Sequence, residues 1–184
     1  NVEHRHAGLW LPIQFGDAQA LKREDKRDYS LSLFLAGGLV LIGIYHLGLF
    51  FARRKELAPL YFGLFCLSVA VWSSQRSEKL IAQLVPDVPG HLGLRLEYLG
   101  FYLSILTFLQ FARYLYPADI YRWPVRILSA LAGLATLSGL ILPVRIFVHT
   151  LPAMQLDALA AILVCLAWAI TAIRRKRLGS WLAG

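Results

Sequence analysis

Residues 31–52, LSLFLAGGLVLIGIYHLGLFFA, run for 22 positions without an Asp, Glu, Lys or Arg. At about 1.5 Å of rise per residue, a helix of that length reaches roughly 33 Å, enough to cross the hydrocarbon core of a bilayer. Lipid offers the backbone no water to bond with, so such a run must be a helix that satisfies its own N–H and C=O groups. The composition agrees: 58% of residues are hydrophobic and 16% charged, against roughly 25% charged in an ordinary soluble domain. The expected fold class is therefore an all-α membrane protein, a multispan helical bundle.

Five spans are predicted, at about 31–52, 57–75, 96–116, 124–142 and 151–173. A sixth is expected to begin near 179, in GSWLAG. Prolines mark the boundaries. Pro59, Pro124 and Pro152 sit near helix starts, and Pro117 and Pro143 just past helix ends. Proline suits a first helical turn, where its missing N–H had no partner anyway, and it cannot continue a helix. The chain has no initiator methionine and breaks off within an apolar segment, so it is expected to be a fragment of a longer protein.

The first thirty residues read differently. In GLWLPIQFG, Leu9, Leu11, Ile13 and Phe15 alternate at period two, a strand pattern. A lone strand is unstable, so residues 1–16 are expected to close a truncated extracytoplasmic β domain. Residues 17–30 then form a polar, helix-prone stalk, followed by the transmembrane region 31–184.

The net charge of +8 does not indicate nucleic-acid binding, because the cations flank oily spans instead of forming a basic domain. Arg53, Arg54, Lys55, Arg113, Arg122, Arg126, Arg174, Arg175, Lys176 and Arg177 fall on one side. The opposite loops hold Arg76, Lys79, Arg95 and Arg145. The cation-rich side is expected to be cytoplasmic. The N-terminal tail opposes this with Arg5, Lys22, Arg23, Lys26 and Arg27, but those are mixed with Glu24, Asp25 and Asp28, whereas Arg53–Lys55 and Arg174–Arg177 abut spans directly. These two clusters are the topology-setting residues, and they also suit anionic lipid. Aromatic residues fit interfacial belts: Tyr114, Tyr116, Tyr121 and Trp123 between spans three and four, and Trp72, Tyr98 and Tyr102 toward the other ends.

No catalytic pattern is present: no HExxH, no GxSxG and no phosphate-cradling glycine loop. Neither an enzyme activity of this chain nor a cofactor is expected. Cys66 and Cys165 lie in apolar runs and read as small buried hydrophobes. The His4 and His6 pair reads as surface, so no metal site is expected.

His46 is the most informative polar residue within a span. It lies seven positions before Arg53, roughly 10 Å deep by helical rise, on a face with Leu39 and Gly43. Small residues let a neighbouring helix approach, where a polar group finds a partner. An interhelical hydrogen bond is favoured over a conformational or proton switch, and both over ligation. Tyr61, Thr107 and Gln110 are the candidate partners on other spans. The outer segments hold Arg76, Lys79, Asp87, His91, Arg95, Glu97, Arg145 and His149. The plain reading is a solvated rim. The sharper one is a docking surface for an external domain, with Arg76, Glu97, Arg145 and His149 as its candidates.

The stretches GLWLPIQFG, GIYHLGLFFARRKE, PLYFGLFCLSVA, LEYLGFYL and PVRIFVHTLPAMQ occur in an order that covers nearly all of the chain. In them the chain resembles the bacterial seven-transmembrane receptors with diverse intracellular signalling modules. That resemblance implies an extracytoplasmic jelly-roll sensor before seven spans, of which residues 1–16 would be the last strand. It also implies an N-terminus outside the bacterial inner membrane, and a cytoplasmic output module (kinase, cyclase or phosphatase) after the last span. The partners it implies are the bilayer, the chain's own sensor domain and its output module, with a homodimer left open. The resulting expectation is a transmembrane signal relay. The alternative, a fragment of a small-solute transporter, would need a hydrophilic path, and the spans offer few charges for one.

Overall fold

The structure, a computed structural model, describes residues 18–76, 90–115 and 122–174. Among them every regular element is helical: α1 (Ala18–Ala52), α2 (Ala58–Arg76), α3 (Gly90–Leu115), α4 (Arg122–Ile141), the single turn α5 (Val144–Phe147), a 3-10 turn (Val148–Thr150) and α6 (Leu151–Arg174). Four segments are long and apolar enough to cross a membrane: Tyr29–Ala52, Leu92–Leu115, Trp123–Ile141 and Arg145–Trp168. The apolar stretch of α2, Ala58–Ser74, is shorter, about 25 Å by helical rise. The expected strand at 1–16, His4 and His6, the sixth span near 179, and Lys79, Asp87, Arg175, Lys176 and Arg177 lie outside the described residues.

α1 starts at Ala18 and runs unbroken into the first span. It ends at the cations: the Arg53 N–H still bonds Leu49 O, and a turn closed by Glu56 N–H to Arg53 O reverses the chain into α2. Proline stands at the second residue of α2 and of α6 and the third of α4, each within the first turn, where no hydrogen bond is lost. Pro143 breaks the chain between α4 and α5.

Helix order alternates up and down. The ring pairs Tyr61–Tyr114, Phe65–Phe108 and Trp72–Phe101, with centroids 5.3, 5.4 and 5.4 Å apart, run in opposite numerical order along α2 and α3. The alternation gathers Arg53, Arg54, Lys55, Arg113 and Arg126 at one end of the bundle and Arg95, Arg145 and His149 at the other.

Close approach is built from glycine. A Cβ on Gly100 of α3 would stand 2.9 Å from Trp72 N and 3.0 Å from Ser68 O of α2, and one on Gly63 of α2 would stand 2.9 Å from Gly43 O of α1. Backbone meets backbone at both crossings, which is how helices associate when lipid gives them no hydrophobic drive to do so.

The core lies between α3, α4 and α6. One cluster joins Ile105, Leu109, Ala112, Val125, Ala132, Ala161 and Trp168. The other joins Tyr98, Tyr102, Ala135, Phe147, Val148 and Met154. Outward faces carry exposed Phe34, Leu41, Phe51, Leu134, Leu156 and Leu163, the apolar exterior that lipid tails require.

Candidate functional site

α3 is the helix to which every other long element is tied, directly or through one neighbour. At about 100° per residue, Gly100, Phe108, Phe111 and Tyr114 fall on one side of it. Arg95, Tyr98, Tyr102, Leu109 and Gln110 fall on the other. The first side meets α2, and the second meets α4 and the approach to α6.

Rings dominate on the α2 side. Phe62 of α2 stacks edge-on to His46 of α1 at 4.6 Å and packs against Phe111 of α3 at 5.0 Å. A chain of three rings therefore crosses three helices near the Arg53 end. Tyr61 and Tyr114 lie beside it, stacked within 8° of parallel. One ring nitrogen of His46 is used locally: Nδ1 donates to Ile42 O, one turn back in α1, at 2.9 Å. What passes from His46 to the neighbouring helix is its ring. Thr107 is likewise bonded within its own helix, donating to Leu103 O at 2.6 Å.

Three side chains reach across on the opposite side of α3. The Arg95 guanidinium forks, Nη1 donating to Leu140 O at 3.1 Å and Nη2 to Leu142 O at 3.0 Å. These are carbonyls at the C-terminus of α4, where a helix runs out of its own N–H donors. A planar fork of fixed N–H groups suits two such acceptors better than an ammonium does. The same guanidinium lies 5.8 Å from the centre of the Phe147 ring. Sequence reasoning placed Arg95 in an outer loop; α3 begins at Gly90, so Arg95 is helical and holds the end of α4.

Tyr102 is fully buried. Its hydroxyl lies 2.6 Å from Thr150 Oγ1, and Thr150 Oγ1 donates its single proton to Phe147 O at 2.6 Å. Tyr102 is therefore the donor. Gln110 Nε2 donates to Ser129 Oγ of α4 at 2.9 Å. Gln110, chosen from the sequence as a contact between spans, makes its bond to α4.

Among the outer-segment candidates, Arg145 and His149 are exposed on the short turns before α6, Glu97 is half-buried on α3 and Arg76 closes α2; of the topology-setting cations, Arg174 closes α6. Exposed Arg53 and Glu56 form a 3.7 Å pair in the turn after α1, of the kind worth little in water. Among the described residues no three of His, Cys, Asp and Glu come together as a metal site.

Sequence reasoning missed Asp157. It is 4% exposed, and neither carboxylate oxygen has a hydrogen-bond partner. The signal was there to read: in LPAMQLDALAAILVCLAWAI it is the single charged residue.

A model of the family described as 7TM diverse intracellular signalling matches residues 28–183. No curated protein matches the chain, and no solved structure does.

Proposed function

The chain belongs to the 7TM diverse intracellular signalling family and is a multi-pass membrane protein, and from that premise we propose that it is the transmembrane relay of a bacterial sensor receptor. In this reading, residues 1–16 close an extracytoplasmic sensor domain, and the N-terminus lies outside the inner membrane. Five complete helices cross, α2 among them, and a cytoplasmic output module follows the last span. The chain itself catalyses nothing. It passes a bias from one side to the other.

The observation that carries the reading is the two-sided bonding of α3. Rings tie it to α2, and through Phe62 to His46 of α1; three polar side chains, with four hydrogen bonds, tie it to α4 and to the turn before α6. A relay requires two packings with different affinity for the stimulated sensor. A helix held on both sides by discrete contacts is an element that can exchange one set of them for another. The stalk helix, continuous from Ala18 through the first span, gives α1 a rigid connection to whatever lies outside.

His46→Ala and His46→Phe, introduced into the receptor with its output module, test this. Alanine deletes the ring contact with Phe62 and is expected to shift basal output, whereas phenylalanine keeps a ring there and is expected to hold output close to wild type. Equal, unchanged output from both variants would remove His46 and its ring chain from the relay.

A further inference from the structure

Asp157 is unexplained by any of these contacts. It lies twelve residues after Arg145 and eleven before Trp168, at the centre of the last apolar segment. Among the described side chains of α6 the buried ones are Met154, Asp157, Ala161 and Trp168, a single stripe at spacings of three, four and seven. Met154 packs in the cluster with Tyr102 and Ala135, and Ala161 in the cluster with Ile105 and Ala132. Asp157 thus enters the bundle between its two apolar cores, with both oxygens unpartnered.

An ionised carboxylate in that position would be a buried charge with neither cation nor N–H donor, a state that proteins avoid by neutralising the group. Among the described residues, the groups packed around it offer no alternative. On α3 the titratable residues of the facing side are Tyr98 and Tyr102, and the Tyr102 proton is committed to Thr150. Arg95 on the same helix is committed to the end of α4. α4 presents Val125, Ala132 and Ala135 to the core, and its Arg126 is exposed. Arg145 and His149, in the turns leading to α6, are exposed as well. On α6 itself Cys165 packs at the edge of the first cluster. A metal ion would need further ligands, and the described residues supply no cluster of them.

We propose that Asp157 is a proton-binding site in the middle of the membrane, and that the bound proton holds α6 against α3 and α4. Binding is the simple association of one proton with one carboxylate oxygen; release returns the charge and makes the packed position of α6 untenable. Intramembrane acids are functional sites by default, and this one would make helix packing answer to protonation. The site depends on the packing of α6 alone and stands whether or not the chain is a relay.

The test uses the whole chain in lipid nanodiscs. Infrared spectra at neutral pH are expected to show the C=O stretch of a protonated carboxylic acid. The band should move when aspartate is labelled with carbon-13 and be missing in Asp157→Asn. Raising the pH should remove the band and lower the melting temperature of wild type together, because the packed bundle binds a proton that the opened one releases. Asp157→Asn, a permanently neutral isostere, should melt independently of pH over the same range. An aspartate carboxylate with no acid band at neutral pH would overturn the proposal; that reading needs only labelled wild type, so it survives a variant that fails to fold. Identical pH dependence in wild type and Asp157→Asn would overturn it too, as would a dependence on sodium in place of pH.

Discussion

The hydroxyl of Tyr102 stands 2.6 Å from that of Thr150, and this contact joins the middle of α3 to the turn from which α6 starts. Thr150 is itself anchored to Phe147 O, so α5, the 3-10 turn and the first turn of α6 are held as a unit against the fully buried tyrosine. Hydrogen bonds between helices in membranes contribute about 0.6 kcal/mol on average and up to about 1.7 kcal/mol. This one belongs toward the upper end, because the tyrosine that donates it is fully buried.

Tyr102→Phe and Thr150→Val should each destabilise the chain by about 1 kcal/mol. The double variant should lose little more than Thr150→Val alone, which already removes both this bond and the one to Phe147 O. Melting of the four proteins in one detergent completes the cycle. Strictly additive losses would mean that the two hydroxyls are not coupled.

Gly100 and Gly133 are both helical glycines, and they should respond in opposite directions to alanine. The new Cβ at Gly100 meets backbone atoms of Trp72 and Ser68 at 2.9 and 3.0 Å, which cannot swing aside; at Gly133 it meets nothing within 4 Å. Gly100→Ala should cost about 1–3 kcal/mol by forcing α2 and α3 apart. Gly133→Ala should be neutral or stabilising by up to about 1 kcal/mol, because alanine is the better helix former. Thermal unfolding of the two variants side by side reads this directly.

Arg95→Lys keeps the charge and loses the fork. It should leave one of the Leu140 and Leu142 carbonyls without its donor, and Arg95→Ala should leave both. Amide exchange at the last turn of α4 should rise in the order wild type, lysine, alanine, with little change at the start of α4. Equal protection in all three would show that α4 ends as firmly without the guanidinium.

Much of the fold was legible because lipid imposes simple rules. Long uncharged runs, prolines in first turns and cations at span ends located α2, α4, α6 and the end of α1 from the sequence within a few residues. The start of α3 was not legible. Its first turns, GHLGLRLEY, carry charge and glycine that read as loop, and only the acceptors at Leu140 and Leu142 explain an arginine there. The same limit applies to contacts. The sequence marks Gln110 as a polar residue within a span, but whether it bonds its own helix, as Thr107 does, or a neighbour depends on which side of α3 it occupies. His46 shows the complementary case, where local backbone captured Nδ1 and packing used the ring. The chemistry of Asp157 was visible in the sequence, whereas its burial and lack of a partner required three dimensions.

The most direct measurement of the relay is the basal output of the full receptor carrying Tyr102→Phe, Gln110→Leu and both together, each at wild-type membrane abundance. Loosening α3 from its neighbours on one side should shift basal output several-fold, and the double variant further than either single one. Unchanged output from all three, in receptors shown to be folded, would contradict a relay through α3.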